Sequence, residues 1–153
     1  MGSSGWFRFS AGAENLTLLA DAGDFFQLVG GALPWRLLEV RVWQRGATTL
    51  AMDTIIFKRG TGGAGGTALT EHEFTTAGPA AVVAGTSLPT TDVTGVDWQY
   101  SMGWNRLQEA VFLPPPELWV PFKANDDLAI TRATTTAYTG VGVQVVWEEF
   151  VGS

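Results

Sequence analysis

The chain of 153 residues contains no cysteine, so it has no disulfide framework, no thiolate metal site and no thiol nucleophile. It is also poor in charge. Charged residues make up 16% of the sequence, against about 25% in an average soluble domain. Cations are the scarcer sign: nine Lys and Arg stand against fifteen Asp and Glu, for a formal charge of −6. So few scattered cations make a poor nucleic-acid surface, because phosphate neutralisation carries most sequence-independent affinity. Apolar runs are only a few residues long, far below the roughly 20 that a membrane-spanning helix needs. Neither nucleic acid nor membrane is expected as a partner. Residues 1–5 carry no basic stretch and lead into no apolar segment of secretory type, so synthesis in a cytoplasm without export is expected.

What the chain has instead is two-residue alternation between turn clusters, the period of a β-strand. In Leu37–Trp43 one face reads Leu38, Val40, Val42, and the other reads Leu37, Glu39, Arg41, Trp43. Thr54–Arg59, Leu107–Leu113, Leu128–Arg132 and Val141–Phe150 follow the same rule. Shorter candidates are Trp6–Ser10, Phe25–Val29, Glu71–Thr75, Val96–Tyr100 and Leu118–Phe122. Helical spacing is nearly absent; only Glu14–Ala22, between Gly12 and Gly23, has room for two turns. Many short strands must cover one another's apolar faces. The expectation is a single all-β domain over residues 1–153, an antiparallel β-sandwich or jelly roll of eight to ten strands.

Two segments break the rhythm. Residues 60–95 are mostly Gly, Ala and Thr, with Leu69, Phe74, Val82, Val83 and Leu88 as the sizeable apolar anchors. With so little to bury, this stretch is expected to be a long loop or extended arm, ordered mainly by neighbours, as is an N-terminal arm over residues 1–12. Its glycine run Gly60–Gly66 lacks the Gly-Lys-[Ser/Thr] ending of a phosphate-binding loop, and Lys58 and Arg59 precede it on the wrong side. The other break, Leu113-Pro114-Pro115-Pro116-Glu117, reads as stiff polyproline-like backbone.

Chemistry-bearing residues are sparse. His72 is flanked by Glu71 and Glu73, which share a strand face that His72 does not. The carboxylate pairs Asp126-Asp127 and Glu148-Glu149 point to opposite faces in the same way, and turn chemistry explains the first after Asn125. No serine lies in a Gly-x-Ser-x-Gly context. These patterns imply no catalytic residue, no metal ligand and no cofactor, and the protein is expected not to be an enzyme. The excess lies in seven tryptophans. Core packing should claim about half of them. Trp43, Trp98, Trp104 and Trp119 are the candidates for an interface or ligand surface, since exposed tryptophan serves both protein contacts and sugar stacking.

An ordered set of pieces resembles small tailed-phage virion proteins of jelly-roll type. The pieces run from the strand Leu37–Gln44 to Phe57-Lys58-Arg59-Gly60-Thr61-Gly62-Gly63, then through the Thr/Ala/Gly-rich stretch 67–95. They continue with Leu113-Pro114-Pro115-Pro116-Glu117, Val120-Pro121, Asp127–Thr131 and the closing Val145-Val146-Trp147-Glu148-Glu149-Phe150. Residues 37–150 are covered, and residues 1–36 match nothing. Arg132–Gly140 departs from the proline-containing turn usual in such proteins. The resemblance implies a capsid decoration or cement protein on the virion surface, made in the host cytoplasm and forming a homotrimer. Its partners would be the major capsid protein and copies of itself. A carbohydrate-binding β-sandwich of a phage tail or receptor-binding appendage is the alternative reading.

Overall fold

A computed structural model describes residues 5–19, 23–46, 52–75, 78–134 and 136–152, with Tyr138 described in its backbone alone. Along the chain run β1 (Gly5–Leu18), β2 (Phe26–Val29), β3 (Trp35–Gln44), β4 (Met52–Thr61), β5 (Thr67–Ala68) and β6 (His72–Glu73). They are followed by β7 (Ala84–Ser87), β8 (Thr94–Asn105), β9 (Ala110–Phe112), β10 (Val120–Phe122), β11 (Asp127–Arg132) and β12 (Tyr138–Val151). The first sheet has the order β10-β3-β12-β1-β6, with β9 also on β3, and the second the order β5-β7-β2-β11-β4-β8. Every pairing is antiparallel. The expected all-β sandwich is the observed architecture.

The apolar residues of both sheets meet between the layers. Phe9, Leu37, Val40, Val42, Val143, Val145 and Trp147 from the first sheet face Leu28, Ile55, Phe57, Leu128 and Ile130 from the second. Phe9 stacks on Trp147 with centroids 6.0 Å apart, and Trp35 on Phe122 at 3.9 Å. Each fully buried aliphatic side chain contributes about 1.5–3 kcal/mol relative to exposure.

The alternation read from β3 changes phase partway along. Val146 pairs with Glu39, but Trp147 pairs with Leu37, so Leu38 is an extra residue in a β-bulge. Leu37 therefore turns into the core with Trp35, and Leu38 lies outside the core cluster. The short helix offered for Glu14–Ala22 is also corrected, its last three residues lying outside those described. Glu14–Leu18 belong to β1, whose register shifts around Asn15, a left-handed residue with φ 57°. That shift brings Leu16 and Leu18 inward at a strand period, and a helix would have broken their alternation.

Residues 5–12 are the first part of β1, paired from Gly5↔Val151 to Gly12↔Gln144, so the strand expected at Trp6–Ser10 is present and the described part of the expected N-terminal arm is sheet instead. Residues 60–95, expected as a loop or arm, are largely folded onto the chain's own sandwich. β5 and β7 lengthen the second sheet and β6 caps the first, so the segment straps one flank of the sandwich shut. Val83 and Val93 are buried, and Leu69 and Ala81 pack against the core. Backbone amides of the segment are also held by carboxylates, most of them buried. Asp127 accepts from Gly63 and Gly30, both at 2.9 Å, and Glu149 from Val82 at 2.7 Å and Val83 at 3.1 Å. Asp24 accepts from Val93 at 2.8 Å, and Glu71 from Gly85 at 3.1 Å. Charge-assisted bonds of this kind are about twice as strong as neutral ones. Finally, the proline run is not uniformly extended, because Pro116–Leu118 close a 3-10 turn with the Leu118 amide on the Pro115 carbonyl at 2.8 Å.

Candidate functional site: an open sheet edge and its aromatic flank

The flank opposite the strap is built differently. Its long boundary is β8, a terminal strand of 12 residues in the second sheet. The other terminal strands among the described residues are short: β5 and β6 have two residues each, β9 and β10 three. Short edges deny other chains a template, and a long one offers it. Apart from a register shift near its start, between Thr94 and Trp98, β8 has few of the usual deterrents. Its sequence holds no lysine and no proline, and its single charge, Asp97, is met by Arg59 at 2.8 Å. The Arg59 guanidinium holds the Asp97 carboxyl below the ordinary aspartate range. Its pairing with β4 runs without a register shift from Met52↔Asn105 to Arg59↔Trp98.

One face of β8 over its regular register is apolar: Trp98, Tyr100, Met102, Trp104. Trp104 lies fully in the core and donates its indole N–H to the Gln108 carbonyl at 3.0 Å. Toward Trp98 the opposite sheet covers this face only in part. Tyr100 remains 46% exposed although it meets Phe112 at 5.0 Å. The result is a groove of about 410 Å³ lined by Trp98, Tyr100, Met102, Leu113, Leu118 and Val120. Leu113 and Leu118, at its rim, are 61% and 65% exposed. Arg59 spans the gap near one end, donating to the Pro121 carbonyl at 2.6 Å.

The proline turn carries this surface onto the outer face of the first sheet. There Trp119 sits between two guanidinium groups, Arg36 at 4.7 Å and Arg8 at 5.8 Å from its ring. Arg36 also lies 3.9 Å from the Trp6 ring, Arg8 6.0 Å from Phe74, and Trp6 packs on Phe150 at 5.2 Å. Glu148 joins the ladder from below, bonded to Arg8 at 2.9 Å and Arg36 at 2.7 Å. Two guanidinium groups thus share one carboxylate. Cation–π contacts at partly exposed sites contribute about 0.5–1 kcal/mol each, so the ladder holds its aromatics in a defined array.

Of the tryptophans singled out in the sequence, Trp98 and Trp119 belong to this band and are half-buried. Trp104 does not; its place is the core, because it is the one residue of the β8 face that the opposite sheet covers fully. Trp43 lies elsewhere on the first sheet, its indole flat on Gly142, where any Cβ would overlap the ring. It borders a hollow of about 410 Å³ with Glu14, Thr70, His72 and Gln144. Trp6, Tyr100, Phe74 and Leu118 were not singled out by the sequence reading. The period-two spacing of Trp98, Tyr100, Met102 and Trp104 was a usable signal for Tyr100. Trp6 stands in the expected strand Trp6–Ser10, but nothing in that strand's own sequence shows that Arg36 and Phe150 lie beside its ring.

The acidic pairs have other work. Glu148 and Glu149 project to opposite faces of β12, the first to the ladder and the second to Val82 and Val83. Asp126 closes a turn by accepting from the Lys123 amide at 3.1 Å, and Asp127 is the buried acceptor described above. Burial pushes the Asp127 carboxyl above the ordinary aspartate range, and the Gly30 and Gly63 amides offset part of that rise. Among the described residues no three His, Asp or Glu side chains converge as a metal site. In comparisons with known proteins, no family model matches the chain and no curated protein matches it significantly.

Proposed function

We propose that the protein is a non-enzymatic structural component of a tailed-phage virion: a decoration or cement protein that stabilises the capsid by docking on the major capsid protein and on copies of itself, with a homotrimer as the assembly unit. The observation that carries the reading is the contiguous apolar and aromatic band running from the β8 edge and its groove to the Trp119–Arg36–Trp6 ladder. Exposed apolar patches with polar rims are typical of protein-docking surfaces, and an open strand adds backbone hydrogen bonds to them. Mass spectrometry of purified virions, with heads and tails separated, tests the location, and co-sedimentation with empty capsid shells tests the docking. The protein is expected in the head fraction and on the shells. Its absence from purified virions overturns the reading.

A second reading has its own observation. The Trp43 indole on Gly142, beside Glu14, Thr70, His72 and Gln144, has the make-up of a saccharide site: one aromatic platform with hydrogen-bonding side chains around it. Under this reading the chain is a carbohydrate-binding module of a tail or receptor-binding appendage. Tryptophan fluorescence during glycan titration, with Trp43→Ala as control, tests it; a flat response across a glycan array removes it.

A further inference from the structure

We infer that the hollow beside Trp43 takes a neutral pyranose and turns acidic sugars away, with Trp43 as the stacking platform and Gln144 as the main hydrogen-bonding group. The inference deepens the saccharide reading of this hollow and rests on it. Four strands bring the site together on the outer face of the first sheet. Cross-strand partners share a face, and the register pairs Trp43 with Gly142, Gln144 with Gly12, and Ser10 with His72. Ser10 and Gly12 stand two apart on β1, so His72 joins the same face. Gly12 and Gly142 lie inside their strands, and neither has a left-handed φ. The backbone therefore does not call for glycine at either place. Close approach does: a Cβ on Gly142 would overlap the Trp43 indole, and one on Gly12 would overlap Gln144 Oε1. Both side chains are thus laid low on the sheet. The hollow of about 410 Å³ beside them falls within the roughly 300–1,000 Å³ of small-ligand sites.

The lining chemistry selects the ligand. One ring face of the half-buried Trp43 rests on Gly142 and the other is turned outward. The negative face of an indole attracts the polarised C–H bonds of a pyranose. Among the described residues the Gln144 amide, the Thr70 hydroxyl and the His72 ring have no hydrogen-bond partner. Amide and hydroxyl each donate and accept, which matches sugar hydroxyls that do both. Charge narrows the class further. Among the described residues Glu14 is the one carboxylate of the lining, and no lysine or arginine belongs to it. Arg45 is paired with Glu14 at 3.3 Å, and Arg41, farther along the same face, is taken up by Glu39 and Glu109. A sugar carboxylate or sulfate would face Glu14 with no fixed cation to hold it, a repulsion that a neutral sugar does not meet.

Saturation-transfer NMR and calorimetric titration of the full chain at pH 8 test this. Methyl β-glucoside, methyl β-galactoside and N-acetylglucosamine are set against glucuronate and N-acetylneuraminate. At least one neutral sugar is expected to bind at least about tenfold tighter than either acid. Trp43→Ala and Gln144→Ala are each expected to weaken that binding at least about tenfold. Glu14→Lys, at an exposed position, replaces repulsion by attraction and is expected to raise glucuronate affinity at least about tenfold. An acid that binds as tightly as the neutral sugars, and is lost with Trp43→Ala, overturns the inference and leaves the saccharide reading standing. Neutral binding that ignores both alanine variants overturns the assigned place. No response to any of the five sugars overturns the inference, and a glycan array that is flat as well removes the saccharide reading with it.

Discussion

The Gly63 amide donates to Asp127 Oδ2 at 2.9 Å, while Oδ1 of the same carboxylate accepts from Gly30 at 2.9 Å. One buried side chain therefore ties the glycine run that follows β4 to the end of β2. Asp127→Ala leaves two inward-facing amides without their acceptor and is expected to cost about 1–3 kcal/mol in urea or guanidinium unfolding. Proteolytic cutting within residues 62–66 should rise in parallel. Asp127→Asn offers one acceptor and turns an amide toward the other donor, so it should recover only part of the loss. Unchanged unfolding midpoints in both variants would show that the loop is held by something else.

Asp127 and Asp97 are expected to titrate on opposite sides of the ordinary aspartate value. Burial raises Asp127, so the folded chain holds that proton more tightly than the unfolded chain. Its contribution to stability is full below the ordinary aspartate range and fades as pH rises through the raised value. The hydrogen bond from Arg59 lowers Asp97, whose contribution is present above the ordinary range and is lost as pH falls through the lowered value. Carboxyl carbon chemical shifts followed by NMR read both directly. Equal midpoints, or the reverse order, contradict the two environments described.

Trp104 and Trp119 look alike in the sequence but should separate cleanly in mutational cost. Trp104→Ala removes a fully buried indole and strands the Gln108 carbonyl, for an expected loss of about 3–5 kcal/mol. Trp119→Ala removes a half-buried ring from the ladder and should cost about 1–2 kcal/mol, from two cation–π contacts and partial burial. Equilibrium denaturation of the two variants decides it, and equal losses would argue against the assigned places.

Gly142→Ala puts a methyl group where the Trp43 indole lies on the β12 backbone. Neither group can yield without moving, so the indole is expected to swing outward. A red-shifted tryptophan emission relative to the parent, absent when Trp43 is also replaced by Phe, would report that motion. An unshifted spectrum would mean that the indole does not rest on Gly142.

Much of the β architecture was legible from period-two alternation, because burying one face of a strand writes itself into the chain. The runs Leu37–Trp43, Thr54–Arg59, Leu128–Arg132 and Val141–Phe150 all fall within strands, β3, β4, β11 and β12. Strand ends and β-bulges were not legible. At Leu37 and Leu38 either residue is apolar enough for the core, and the choice depends on how β12 pairs opposite them. The strap over residues 60–95 departs from the expected arm for a related reason: the acceptors of its backbone amides, Asp24, Asp127 and Glu149, stand far away in sequence and look like ordinary surface acids there.

The candidate site divides along the same line. Composition alone excludes thiol chemistry, disulfides and a long apolar helical span, since those need residues or runs the chain lacks. Alternation alone puts Trp98, Tyr100, Met102 and Trp104 on one face of a strand. Which of them is core and which is surface depends on how far the opposite sheet reaches across β8, and that reach is set by β9, β10 and the proline turn. Whether an edge is open is likewise a property of sheet order, because a strand cannot reveal from its own residues that it has a neighbour on only one side.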